Sequence, residues 1–90
     1  MSLRRSRLDI QLAVLNAVRE GVDKPTRIMY AANMSWKPVK EILDSLVDRE
    51  LLSVISNTVG KKAKRRYEIT EKGISILNYL EGAKELVDII

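Results

Sequence analysis

The stretch LLSVISNTVGKKAKRRYEITEKG, from Leu51 to Gly73, constrains the fold more than any other part of the chain. Two β-prone runs flank Gly60 and a dense basic segment, the pattern of a β-hairpin with a glycine-containing turn. In the return strand Tyr67 and Ile69 point to one face, while Arg66, Glu68 and Thr70 point to the other. The outgoing strand is expected over 51–56 with Val54 inward, although Leu51, Leu52 and Ile55 leave its alternation ambiguous. Thr70 then caps a following helix, and Glu71 places a negative charge where the helix dipole favours it.

Helical signals precede the hairpin. A first helix is expected from Arg7 to Glu20, opened by Ser6 and Asp9 as a capping pair and closed by Gly21. Leu8, Leu12 and Leu15, with Val14 and Val18 beside them, form its apolar stripe. Pro25 suits the start of a second, short helix over 26–32, in which Ile28, Met29, Ala31 and Ala32 are available for packing. Asn33 and Met34 make the turn, and Asn tolerates a left-handed backbone. Ser35 is a good N-cap for a third helix, with Pro38 in its first turn. There Val39, Ile42, Leu43, Leu46 and Val47 form the buried face, opposite Lys37, Lys40, Glu41, Asp44 and Asp48. The last helix should continue from Glu71 to the end. Ile76, Leu80, Ala83, Val87 and Ile90 step along it as a heptad seam, with Ile74 and Leu77 left to pack on the body.

The order of these elements predicts a mainly α domain with a small β-hairpin: a winged helix-turn-helix with a C-terminal dimerisation helix. Residues 1–6 form a flexible basic N-terminus, 7–73 the body and 71–90 the C-terminal helix. That helix is short for a coiled coil, which ordinarily needs three or four heptads. Exposing Leu80, Val87 and Ile90 would nonetheless cost about 1.5–3 kcal/mol each, so self-association through the seam, as a homodimer, is the favoured reading.

Charge follows the same division. Residues 1–66 carry 14 Lys or Arg against 7 Asp or Glu, whereas residues 67–90 carry 2 against 5. The body attracts a polyanion and the tail does not. Five cations stand between Lys61 and Arg66 (Lys61, Lys62, Lys64, Arg65 and Arg66) with no acid among them. That density favours phosphate contacts at the wing over a merely solvated edge or a targeting patch. At the front of the third helix, Ser35, Trp36, Lys37 and Lys40 are the candidates for base edges and phosphates. Trp36 either touches nucleic acid or folds back near the hairpin, and the packed position is favoured because large aromatics are usually partly buried. Arg4, Arg5 and Arg7 are an additional phosphate-binding arm or a solvated tail.

Other chemistry has little material. The chain has no Cys and no His, which removes thiolate metal sites, disulfides and imidazole acid–base catalysis. No glycine-rich phosphate loop, paired nucleophile or catalytic constellation is present, so no enzyme activity, metal or cofactor is expected. No apolar run approaches the ~20 residues of a membrane-spanning helix. A cytoplasmic, nucleoid-associated location is expected, with no membrane partner and no evident small-molecule effector.

Three segments carry a resemblance to a known family: TRIMYAANMSW at Thr26 to Trp36, LVDRELL at Leu46 to Leu52, and YEITEKG at Tyr67 to Gly73. With them the chain resembles small archaeal winged-helix DNA-binding proteins, including the ten-kilodalton chromatin proteins of the 10a class and related regulators. The resemblance implies duplex DNA as ligand and an antiparallel coiled-coil homodimer formed by the last helix. It places Ser35, Trp36, Lys37 and Lys40 at the front of the recognition helix and Lys61 to Arg66 on the wing. The alternative reading is a winged-helix module whose basic patch binds an acidic protein.

Overall fold

The computed structural model describes residues 6–59 and 62–89, apart from the side chains of 57–59, 62–63 and 84–89. Arg4, Arg5, Lys61 and Ile90, and the side chains of Lys62 and Val87, therefore lie outside the described residues. The order is α1 (Arg7–Arg19), α2 (Pro25–Ala32), α3 (Trp36–Asp48), β1 (Leu52–Val59), β2 (Lys62–Ile69) and α4 (Glu71–Ile89).

Local chemistry accounts for most boundaries. Ser6 and Asp9 close a reciprocal capping box at α1, with the Asp9 amide donating to Ser6 Oγ at 3.0 Å and the Ser6 amide to the Asp9 carboxylate at 3.3 Å. Pro25 opens α2, where its missing N–H would have had no partner. The first three helices end alike. In each, the amide of a left-handed residue bonds back three positions and the next amide bonds back five, which satisfies the terminal carbonyls. The left-handed residues are Gly21 (φ 103), Asn33 (φ 54) and Glu50 (φ 62), and the paired bonds run from Gly21 and Val22, Asn33 and Met34, and Glu50 and Leu51. Glu50 carries no sequence signal for this conformation. Ser35 occupies the N-cap position of α3, but its side chain makes no capping bond.

β1 and β2 form an antiparallel hairpin in the register Leu52 to Ile69, Val54 to Tyr67 and Val59 to Lys62. β1 thus runs three residues beyond the expected Ser56, and directly paired residues share a face. Leu52 and Tyr67 are buried on the inner face, but Val54 on the same face is 40% exposed because it lies outward along the hairpin. The base of β2 is tied to the loop before α2, where the Tyr67 amide donates to the Asp23 carbonyl at 2.9 Å.

The core is aliphatic. Val14, Leu15 and Val18 of α1, Ile28 and Ala32 of α2, and Val39, Ile42, Leu43 and Leu46 of α3 meet Leu51, Leu52, Tyr67 and Leu77. Packing expectations shift on three helices. Leu8 is 47% exposed, since the α1 stripe rotates away from the core towards its N-terminus, and Ala31 faces outward on α2. On α4, Leu77 is fully buried, whereas Ile74 is 37% exposed and Ile76 packs partly against the core instead. Thr70 anchors that helix: its hydroxyl accepts from the Gly73 amide at 2.9 Å and lies 2.7 Å from the Glu50 carbonyl and 3.1 Å from that of Leu51. Farther along, Arg19 pairs with Glu81 at 3.1 Å and donates to Asn78 at 3.1 Å, fastening α4 to the end of α1.

Candidate nucleic-acid interface

The helix-turn-helix of α2 and α3 stands beside the hairpin, and the space between them is a cleft of about 850 Å³. One wall is the start of α2, with Lys24, Pro25, Thr26 and Met29; another is the front of α3, with Trp36 and Lys40; the third is β2, with Lys64, Arg65, Arg66 and Tyr67. Lys24, Lys40, Lys64, Arg65 and Arg66 are all exposed. Five cations thus surround one depression, and no Asp or Glu lines it among the described residues. Such a concave, single-sign surface concentrates anions by focusing the field.

The expected residues separate into groups. Trp36, Lys40, Lys64, Arg65 and Arg66 are brought together in the cleft. Ser35 and Lys37 are exposed at the front of α3 but do not line it. Trp36 lines the cleft together with hairpin residues but is 43% exposed and absent from the core, so the favoured packed position is not the one it takes. Lys61 and the side chain of Lys62 lie outside the described residues. Arg7 is exposed at the start of α1.

The cations are not equivalent. Arg66 sits 3.5 Å from the Asp23 carboxylate, both groups being about half exposed. Asp23 also accepts the Tyr67 amide through its backbone carbonyl, so Arg66 steadies the base of the hairpin as well as facing the cleft. Arg65 and Tyr67, two positions apart on β2, line the same wall of the cleft. Tyr67 is 3% exposed, and its phenol is held above the ordinary value of 10.0, chiefly by burial and next by the charge of Asp44, with Arg65 opposing both. Asp44, expected on a solvated face, therefore acts on the hairpin's buried tyrosine.

Lys24 and Thr26 join the site without a strong mark in the sequence. The signal they do carry is positional: Lys24 immediately precedes Pro25, and the start of a helix exposes unpaired amides favourable to anions. Only the folding of α2 against β2 shows that this end faces the wing.

On the expected α4 seam, Ile76 and Leu80 are half-buried and Ala83 is exposed. Ile76 and Leu80 border a smaller apolar groove of about 360 Å³ with Leu8, Leu12 and Leu51 of the same chain. The near half of the seam is therefore partly engaged by its own body. Among the described residues there is no cluster of metal-binding side chains, and no helix is long and apolar enough to cross a membrane.

Comparison with known proteins agrees with this architecture. A protein of Methanocaldococcus jannaschii, itself uncharacterized, is 33% identical over 85 residues, spanning 94% of this chain and 79% of that protein. A second uncharacterized protein from the same archaeon is 31% identical across 96% of this chain, which covers 37% of the longer relative. Among solved structures, a Streptococcus mutans protein superposes with a TM-score of 0.84 at 20% identity, over 99% of this chain and 88% of that one. BpsR of Bordetella bronchiseptica gives 0.76 at 20% identity over 88% and 60%, and its DNA binding is regulated by 6-hydroxynicotinic acid. ZitR of Lactococcus lactis, a zinc-responsive MarR family member, gives 0.67 at 20% identity over 100% and 66%. At these identities the structural likenesses establish the fold alone. A family model for winged helix-turn-helix domains matches residues 4–88, and the chain belongs to that family.

Proposed function

We propose that this protein binds double-stranded DNA as a homodimer in the cytoplasm, as a transcriptional regulator or a nucleoid-associated protein. The observation that carries the reading is the convergence of Lys40 on α3 with Lys64, Arg65 and Arg66 on β2 around one depression that no carboxylate lines among the described residues. In this mode the front of α3 enters the major groove, with Ser35, Trp36, Lys37 and Lys40 facing bases and phosphates. Lys61, Lys62, Lys64 and Arg65 then lie on flanking phosphates. Glu41, Asp44 and Asp48 favour end-on insertion, which keeps the acidic half of α3 outside the groove. Ile76, Leu80, Ala83, Val87 and Ile90 pair the C-terminal helices of two copies. Membership of the winged helix-turn-helix family supports the class of activity.

Phosphate contacts release counterions, so affinity should fall steeply with salt. The test is fluorescence anisotropy with mixed-sequence duplex DNA. With roughly six phosphate contacts, a fall on the order of a thousandfold is expected between 50 and 200 mM salt. Absence of duplex binding at the lowest salt would defeat this reading and direct attention to an acidic protein as partner.

A further inference from the structure

The cleft between the helix-turn-helix and the wing is concave, whereas groove reading in a duplex is done by a protruding helix or ribbon. Its volume of about 850 Å³ lies within the ~300–1,000 Å³ typical of small-ligand sites. A space of that size admits a base with its sugar and phosphate.

The lining matches such a guest. Trp36, 43% exposed, brings an aromatic side chain to the lining, and half-buried Met29 adds apolar surface to the same cleft. Lys24 stands on the α2 side, Lys40 on α3, and Lys64 and Arg65 on β2, so positive charge flanks the ring on three walls. A stacking ring between cations that track phosphates is the arrangement by which proteins hold unpaired nucleotides.

We infer that the cleft is a binding site for an unpaired nucleotide, its base stacked on Trp36 and its phosphates held by Lys40, Lys64 and Arg65. Single-stranded DNA, or a duplex opened at a bubble or end, is then a ligand in its own right. The inference rests on the nucleic-acid reading of the same surface but not on insertion of α3 into a duplex. The shared chemistry is a planar base joined to phosphate, supplied by a single strand or a free nucleotide. Because Lys40 and the wing cations serve both modes, duplex and single strand compete.

Trp36 is the only tryptophan in the chain, so its fluorescence reports on stacking directly. The full chain would be titrated with an oligothymidine octamer, thymidine monophosphate and a blunt duplex, following Trp36 emission and, for labelled DNA, anisotropy. The octamer should quench Trp36, and Trp36→Ala should weaken octamer binding by about five- to a hundredfold, as loss of one stacked base does. Trp36→Phe should restore most of that loss. Quenching by the mononucleotide as strong as by the octamer would identify the free nucleotide as the source; far weaker quenching would identify the strand. Octamer binding without quenching, or octamer affinity unchanged in Trp36→Ala, would overturn the inference. Duplex binding without single-strand binding overturns it while leaving the duplex reading intact. Single-strand binding alone overturns the duplex reading instead.

Discussion

At the scale of single residues, backbone proximity decides outcomes that side-chain type alone does not. Gly73 sits in the first turns of α4, where a Cβ would run into the Leu51 carbonyl oxygen and lie 2.8 Å from Ile69 Cγ1. The obstacle is backbone, which cannot swing aside as a flexible side chain can. Alanine raises helix propensity by about 1 kcal/mol, but the overlap at a packed junction costs about 1–3 kcal/mol and Thr70 is tied to the same carbonyl. Gly73→Ala should therefore lower the melting temperature by several degrees. An unchanged or raised melting temperature would show that α4 can lift off Leu51 freely. Tyr67 supplies a pH test. Burial first, and then Asp44, holds its phenol above 10.0. The folded state thus keeps a proton that the unfolded chain has lost, and stability is complete below that pH and falls as pH rises above it. Thermal unfolding between neutral pH and pH 11 should show a steeper alkaline decline for the wild type than for Tyr67→Phe. Identical slopes would remove Tyr67 as the cause.

Among elements, the hairpin is the part whose charge and anchoring separate cleanly. Lys64 and Arg65 are exposed cations of β2, whereas Arg66 also braces the hairpin through Asp23. Replacing Lys61, Lys62, Lys64 and Arg65 together with Ala should weaken binding to all duplexes alike. It should also flatten the logarithmic salt dependence by about 0.9 for each phosphate that is no longer neutralised. An unaltered salt slope in that variant would exclude the wing from the DNA interface. The basic run and the alternation of Tyr67 and Ile69 were readable along the chain because both are local patterns. The extra residues of β1, to Val59, were not, since pairing with Lys62 determines where that strand ends.

For the molecule as a whole, assembly turns on α4. Its near half leans on the body through Leu77, Ile76 and the Arg19–Glu81 pair. The proposed homodimer therefore depends most on the outer seam. Leu80→Asp combined with Val87→Asp should convert a dimer to monomers in sedimentation velocity, with circular dichroism confirming that the body remains folded. A monomeric wild type, or a variant that stays dimeric, would dismiss the seam as the dimer interface.

The sequence by itself determined the helices, the hairpin, their order and the basic wing. Each depends on neighbours a few residues apart: Ser6 with Asp9, Pro25 at a helix start, Asn33 in a left-handed turn, alternation along β2. Tertiary structure alone decided which faces meet. Arg19 finds Glu81 across 62 positions, Asp23 receives the Tyr67 amide, Glu50 takes a left-handed backbone so that Leu51 can turn back beneath Thr70, and Lys24 joins Trp36 and Arg65 around one cleft. Such meetings depend on the packing of whole elements, and no short window of residues contains the geometry that brings them together.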